Sequence, residues 1–296
     1  MASYFPLETL YELGDAYNPD DITYAIVWNH PKGDLARYKN LKAVFSTGAG
    51  TEHFDQDPNL PNAPIFRLVD PNMAEDMALY ALYWSLHFHR KFETYRTQQT
   101  AKKWERYATP PAHTFHICVL GQGAMGQFIS EHLAKNKFKV SGWSRSPKDV
   151  DGVQSFSGET ALTDTLAETD VLISCLPLND VTRGYLDKAR LSALKHGAGF
   201  INISRGPIVE TKALLDLLDT RHISAAVLDV FDQEPLDDNS PLWDHPNVHV
   251  TPHMSGMTNT QTAAKIIAEN IAKVKSGKMP DNMYKDWTGR HPSADK

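Results

Sequence analysis

Phe115-His116-Ile117-Cys118-Val119-Leu120 leads without interruption into Gly121-Gln122-Gly123-Ala124-Met125-Gly126 and on into Gln127-Phe128-Ile129-Ser130-Glu131-His132-Leu133-Ala134-Lys135-Asn136. The first six residues form a short apolar run typical of a buried strand, and the last stretch has helical spacing. Between them stands G-x-G-x-x-G. In a strand-turn-helix setting each glycine has a task. The first makes the tight turn, the second lets the backbone approach a pyrophosphate, and the third lets the helix pack closely, with the diphosphate at the positive helix N-terminus. The stretch predicts a dinucleotide site built from Gly121, Gly123, Ala124, Met125 and Gly126.

Downstream, strands are predicted at Phe138 to Trp143, Val171 to Leu176, Gly199 to Ile203, Ala225 to Val230 and Val248 to Val250. Helices fall between them at about Ala161 to Glu168, Lys188 to Leu194 and Lys212 to Thr220. This alternation predicts an α/β fold with a doubly wound parallel sheet of the Rossmann class. Upstream, strands at Tyr24 to Trp28, Leu41 to Phe45 and Ile65 to Val69 suggest a small α/β unit. One long helix is expected from about Met73 to about Arg106, with too many apolar positions for a single face and a stop at Pro110-Pro111. A last amphipathic helix spans about Gln261 to Lys275, and the polar tail from Gly277 is expected to be loosely held. The expected organisation is a discontinuous substrate domain, 1–90 with 265–296, and a dinucleotide-binding domain, 91–264.

The second predicted strand ends at Trp143, after which an NAD enzyme places an acid on the ribose hydroxyls. Here the chain reads Ser144-Arg145-Ser146-Pro147-Lys148. A carboxylate would repel a 2′-phosphate, whereas hydroxyls and a guanidinium receive it. Ser144, Arg145, Ser146 and Lys148 therefore predict NADPH as the preferred cofactor, with NADH possible.

Three further segments lie at predicted strand ends: Asn202-Ile203-Ser204-Arg205-Gly206, Asp229 through Pro235, and Thr251-Pro252-His253. With these residues in hand, the chain resembles the D-isomer-specific 2-hydroxyacid dehydrogenases, whose Arg, Glu and His are matched by Arg205, Glu234 and His253. The lack of an acid after Trp143, the run Trp143-Ser144-Arg145-Ser146 and the strand Ala25-Ile26-Val27-Trp28 are most similar to the glyoxylate/hydroxypyruvate reductase A subgroup. The resemblance implies a smaller, flavodoxin-like substrate domain, with Ser46-Thr47-Gly48-Ala49-Gly50 as the substrate loop. It implies Leu176 and Pro177 in the turn beside the cofactor, Asp229 on the nicotinamide carboxamide, and a homodimer.

The chemistry accounts for these residue types. Reduction of a 2-keto acid needs a hydride at the carbonyl carbon, a proton at its oxygen and a fixed carboxylate. Arg205 offers a planar fork to carboxylate and carbonyl. His253 is the proton donor, and Glu234 sets its tautomer and favours the imidazolium. Backbone amides of Gly48, Ala49 and Gly50 can cradle the carboxylate. Trp28 either walls the substrate pocket or fills the core. His30, His53, His87, His89, His113 and His116 are read as structural.

Composition narrows the classes. With 30 Lys+Arg against 36 Asp+Glu the formal net charge is −6, so no bulk positive field favours nucleic acid. No apolar run is long enough to span a bilayer, and Met1 to Pro6 lacks the start of a secretory signal, so a cytoplasmic protein without a membrane partner is expected. Cys118 and Cys175 sit in apolar runs as reduced thiols, and no metal site is expected. The expected function is reduction of glyoxylate or hydroxypyruvate. The alternatives are a dehydrogenase for bulkier 2-keto acids such as phenylpyruvate, or a nicotinamide-sensing binding protein.

Overall fold

The computed structural model describes residues 2–285 apart from Leu7 and Leu13. The chain forms two compact units, one from residues up to Met73 together with those from Thr258, the other from Ala74 to Met257. The divisions expected from the sequence stand at 90 and 264.

The larger unit holds a seven-stranded parallel sheet in the order Val248–Val250, Ile223–Leu228, Ala198–Asn202, Val171–Ser174, His116–Leu120, Lys139–Trp143, Val153–Phe156. The chain starts in the middle at His116–Leu120 and winds outward in both directions, as a doubly wound sheet does. The inner strands are predominantly apolar because both faces are covered. Leu120, Leu172, Phe200 and Leu228 face one cluster, and Ile117, Val119, Ile173, Ile201 and Val227 the other. Each such side chain contributes roughly 1.5–3 kcal/mol on burial. Register aligns the strand ends: Leu120 pairs with Trp143 and Ser174, Ser174 with Asn202, Asn202 with Leu228, and Leu228 with Val250. Phe156 likewise pairs with Trp143, so all seven strands end level and the loops after them emerge along one edge.

In this unit two elements depart from expectation. The long helix is two, Pro71–His89 and Phe92–Thr100, because Lys91 adopts a left-handed φ of 56° that an α-helix does not propagate. Ala78, Ala81 and Trp84 of the first helix pack among Ile117, Ile129 and Leu133, which places most of it with the larger unit. Val153–Phe156 is an edge strand that sequence reasoning missed, since its polar Gln154 and Ser155 break the apolar signal. Among the described residues no helix is long and apolar enough to cross a membrane.

In the smaller unit, Tyr24–Val27, Ala43–Ser46 and Ile65–Phe66 pair in parallel, and Met283–Lys285 adds an antiparallel edge. Part of the tail from Gly277 is therefore strand, and 286–296 lie outside the described residues. The helix Thr260–Lys275 buries Ile267 and Ile271 against Phe45 and Phe66. Its N-cap, Asn259, accepts from the amides of Gln261 and Thr262, a device that contributes roughly 0.5–2 kcal/mol.

Candidate active site

The glycine turn sits on the level strand ends. Gly121 has φ 95°, and a Cβ there would lie 2.6 Å from the Cys175 carbonyl oxygen; a Cβ at Gly126 would overlap the Gly121 carbonyl oxygen. Both positions admit only glycine. Gly123 differs: a Cβ there meets nothing within 4 Å, so its bare backbone faces open space at the start of the helix Ala124–Lys135. Ala124 beside it is exposed and Met125 half-buried. That is a cradle a diphosphate can approach, and these residues fit a dinucleotide. Gln122 points the other way, buried, donating to the Val119 carbonyl and the Ser130 hydroxyl.

The Gly121 amide donates to the Trp143 carbonyl, 2.8 Å, so the loop after Trp143 lies beside the cradle. In it Arg145, Ser146 and Lys148 are exposed, and the Ser144 hydroxyl donates to the Ser146 carbonyl at 2.6 Å, closing the turn. On the other side the Cys175 amide donates to the Leu120 carbonyl, with Leu176 buried and Pro177 following. Burial pushes the Cys118 and Cys175 thiols up to about 12, which keeps them protonated and inert.

Arg205 is held by its neighbours. The Asn202 side chain accepts from the Ser204 amide and hydroxyl and donates to the Arg205 carbonyl, while the Ser204 and Ser174 hydroxyls lie 2.8 Å apart. A Cβ at Gly206 would overlap the backbone of Phe231 and Asp232. Arg205 itself is extended and half-buried, with Nη1 donating to the Ser204 carbonyl at 2.6 Å.

Glu234 and His253 form a pair. Nδ1 of His253 donates to Oε2 of Glu234 at 2.7 Å, and Oε1 of Glu234 accepts from the Phe231 amide at 3.0 Å. A carboxylate only accepts, so Nδ1 carries the hydrogen and Nε2 is left for a substrate. His253 has φ 52°, a conformation that costs a β-carbon residue about 1–2 kcal/mol. Asp229 holds it there. Its carbonyl accepts from the His253 amide, and its buried carboxylate accepts from the amides of Met254 and Ser255 and from the Thr251 hydroxyl at 2.5 Å. Because that hydroxyl hydrogen is spent on Asp229, Tyr80 is the donor in its 2.7 Å bond to Thr251. Burial pushes the Tyr80 phenol up to about 12 and keeps it a donor. Both carboxylate oxygens of Asp229 thus brace the His253 turn. Tyr80 carries no motif that would have marked it, and Thr251 stands in the quoted Thr251-Pro252-His253 segment with no role assigned to it.

In the smaller unit the loop after Ala43–Ser46 contains Gly48, whose missing Cβ is replaced by the Trp28 indole. Trp28 is 52% exposed, which overturns the core-filling alternative. The Gly48 amide donates to the Ser46 hydroxyl at 3.1 Å, so of the three amides expected to cradle a carboxylate this one is already engaged. Ala49 and Gly50 follow it in the loop.

The family model described as "D-isomer specific 2-hydroxyacid dehydrogenase, NAD binding domain" matches residues 82–255. The chain belongs to the D-isomer specific 2-hydroxyacid dehydrogenases. Solved relatives agree along nearly its whole length. A D-isomer specific 2-hydroxyacid dehydrogenase from Xanthobacter autotrophicus Py2, in complex with NADPH and MES, is 39% identical over 93% of this chain and 87% of its own, with a TM-score of 0.88. The NADPH-dependent glyoxylate/hydroxypyruvate reductase of Sinorhizobium meliloti, in complex with NADP and sulfate, is 33% identical over 91% and 86%, TM-score 0.84. A probable 2-hydroxyacid dehydrogenase from Rhizobium etli CFN 42, in complex with NADP, HEPES and L(+)-tartaric acid, is 31% identical over 92% and 87%, TM-score 0.84. This dehydrogenase is accordingly an NAD(P)-dependent oxidoreductase with a Rossmann-type α/β fold, acting on 2-hydroxyacid/2-keto acid pairs.

Proposed function

We propose that the chain reduces small 2-keto acids, glyoxylate and hydroxypyruvate, to 2-hydroxy acids with NADPH as preferred cofactor. The observation that carries this reading is the His253–Glu234 pair, set on the same sheet edge as Arg205 and as a cofactor cradle flanked by the stretch Ser144 to Lys148, which carries Arg145 and Lys148 and no acid. The 33% identical relative described as an NADPH-dependent glyoxylate/hydroxypyruvate reductase supports the substrate class.

Gly121, Gly123, Ala124, Met125 and Gly126 would hold the diphosphate, Ser144, Arg145, Ser146 and Lys148 the 2′-phosphate, and Leu176 and Pro177 the adjoining part of the cofactor. When bound, NADPH supplies the hydride that reaches the carbonyl carbon. Arg205 fixes the substrate carboxylate and draws electron density toward the carbonyl oxygen. His253 delivers a proton from Nε2 to that oxygen, and Glu234 stabilises the imidazolium beforehand. Ala49 and Gly50 supply amides to the carboxylate, and Trp28 over Gly48 sets the size limit of the loop. We assign cofactor binding to the larger unit and the substrate loop to the smaller one, in a cytoplasmic protein. A panel of glyoxylate, hydroxypyruvate and phenylpyruvate tests the reading: the two small acids are expected to have the higher kcat/KM, and a preference for phenylpyruvate contradicts it.

The cofactor preference has its own test. A charge-assisted contact contributes about 1.5–3 kcal/mol, roughly ten- to a hundred-fold in affinity. Arg145→Ala is expected to raise the KM for NADPH by that factor and leave the KM for NADH nearly unchanged. Equal losses with both would remove Arg145 from the 2′-phosphate.

A homodimer belongs to the same proposal. Leu79, Tyr83 and Phe92 are at least half exposed on the helix pair from Pro71 to Thr100, an apolar surface suited to a second copy. Sedimentation at micromolar protein is expected to give twice the chain mass, and the single-chain mass excludes the dimer.

A further inference from the structure

We infer that His87, Glu93 and His249 form a binding site for one divalent ion of the zinc class, outside the Arg205, Glu234 and His253 set. The three come from separate elements: His87 from the last turn of Pro71–His89, Glu93 from the first turn of Phe92–Thr100, and His249 from the edge strand Val248–Val250. The left-handed Lys91 breaks the helix between the first two. One ligand atom from each residue lies within 4.8 Å of the others. Tetrahedral zinc bound at about 2.0–2.2 Å sets its ligands roughly 3.4 Å apart, so modest side-chain rotation closes the site.

Two imidazoles and a carboxylate are a donor set zinc accepts, leaving a fourth position for water or a further ligand. Nε2 of His87 and Nε2 of His249 are shut off from solvent and have no hydrogen-bond partner among the described residues. Buried imidazole nitrogens ordinarily find one. Packing explains the rings: Trp84 lies 5.1 Å from the His87 ring and 4.8 Å from that of His249. It does not explain why an acid joins them. Burial, then the neighbouring His249, lowers the His87 pKa, and burial lowers that of His249, in both cases with Arg96 adding to the effect and Glu93 opposing it. Both imidazoles are thereby kept in the neutral form that ligates.

Arg96 makes the inference sharp. Its Nε donates to both Glu93 oxygens at 3.0 and 3.2 Å, and its Nη2 lies 2.9 Å from Oε1. An ion at the site must share Glu93 with this guanidinium and bear its repulsion.

The test is titration of the full-length, tag-free protein with Co2+, followed by visible absorption, and with Zn2+, followed by calorimetry. One ion per chain is expected, with affinity falling as the pH drops because protons compete for the imidazoles. Glu93→Gln and His249→Ala are each expected to weaken binding tenfold or more, since even the loss of an outer-shell partner costs about that much. Arg96→Ala is expected to tighten it. Glu93 and Arg96 are at the surface, so those variants keep the fold even if His249→Ala does not, and both should reduce 2-keto acids at the unaltered rate. No uptake, or uptake that none of the three substitutions changes, would overturn the site.

Discussion

Replacing His253 with alanine is expected to suppress 2-keto acid reduction by about a hundred-fold or more, the usual scale for a positioned proton donor. Cofactor affinity should change little, because the glycine cradle from Gly121 to Gly126 does not involve this side chain. The turn itself should survive, since what holds it is backbone: the His253 amide on the Asp229 carbonyl and the Met254 and Ser255 amides on its carboxylate. His253→Asn provides a check on strain, because asparagine tolerates the φ of 52° that alanine resists. The pH dependence carries the sign of the mechanism. Reduction consumes a proton and so is expected to fall as pH rises, whereas oxidation of the hydroxy acid releases one and is expected to rise. Glu234→Gln removes the carboxylate 2.7 Å from Nδ1, which fixes the ring's tautomer, and should lower the rate of reduction. Stopped-flow rates across pH for the parent, His253→Asn and Glu234→Gln decide it. A His253 variant that keeps full activity and the parent profile would remove His253 as the acid.

Arg205→Ala is expected to lower kcat by roughly a hundred- to a thousand-fold and to raise the substrate KM as well. Both fall on one residue because its fork is proposed to meet the carboxylate in the ground state and the developing oxyanion in the transition state. Lysine should not restore the rate, since a point charge lacks the two parallel donors. Steady-state analysis separating kcat from KM is the check: a change in KM alone would make Arg205 an anchor without a part in the chemistry.

How much of the molecule is legible in its residues depends on distance along the chain. The cradle is legible because strand, turn and helix are contiguous and the three glycines stand at the spacing of a dinucleotide turn. Arg205, Glu234 and His253 are legible because each comes after a strand whose apolar run marks its end. The bracing task of Asp229 is not, because its partners, Thr251, Met254 and Ser255, lie 22 to 26 positions away, and only folding brings them to its carboxylate. Tyr80 is further still, 171 positions from Thr251. The break at Lys91 leaves no mark in the sequence because nothing in Arg90-Lys91-Phe92 is a helix breaker by propensity. The edge strands Val153–Phe156 and Met283–Lys285 are short, and half-buried edges carry little hydrophobic signal. The engaged Gly48 amide depends on one serine hydroxyl two residues back, which composition alone does not reveal.

The central claim, catalytic turnover of a small 2-keto acid at the expense of NADPH, is tested most directly by following the NADPH absorbance after addition of glyoxylate, in parallel with NADH at the same concentration. Continuous loss of NADPH over many turnovers, with kcat/KM exceeding that for NADH and slowed by roughly a hundred-fold or more in Arg205→Ala, is the result the account predicts. Cofactor that binds but is not consumed with glyoxylate, hydroxypyruvate or phenylpyruvate would contradict it and leave a nicotinamide-binding protein in its place.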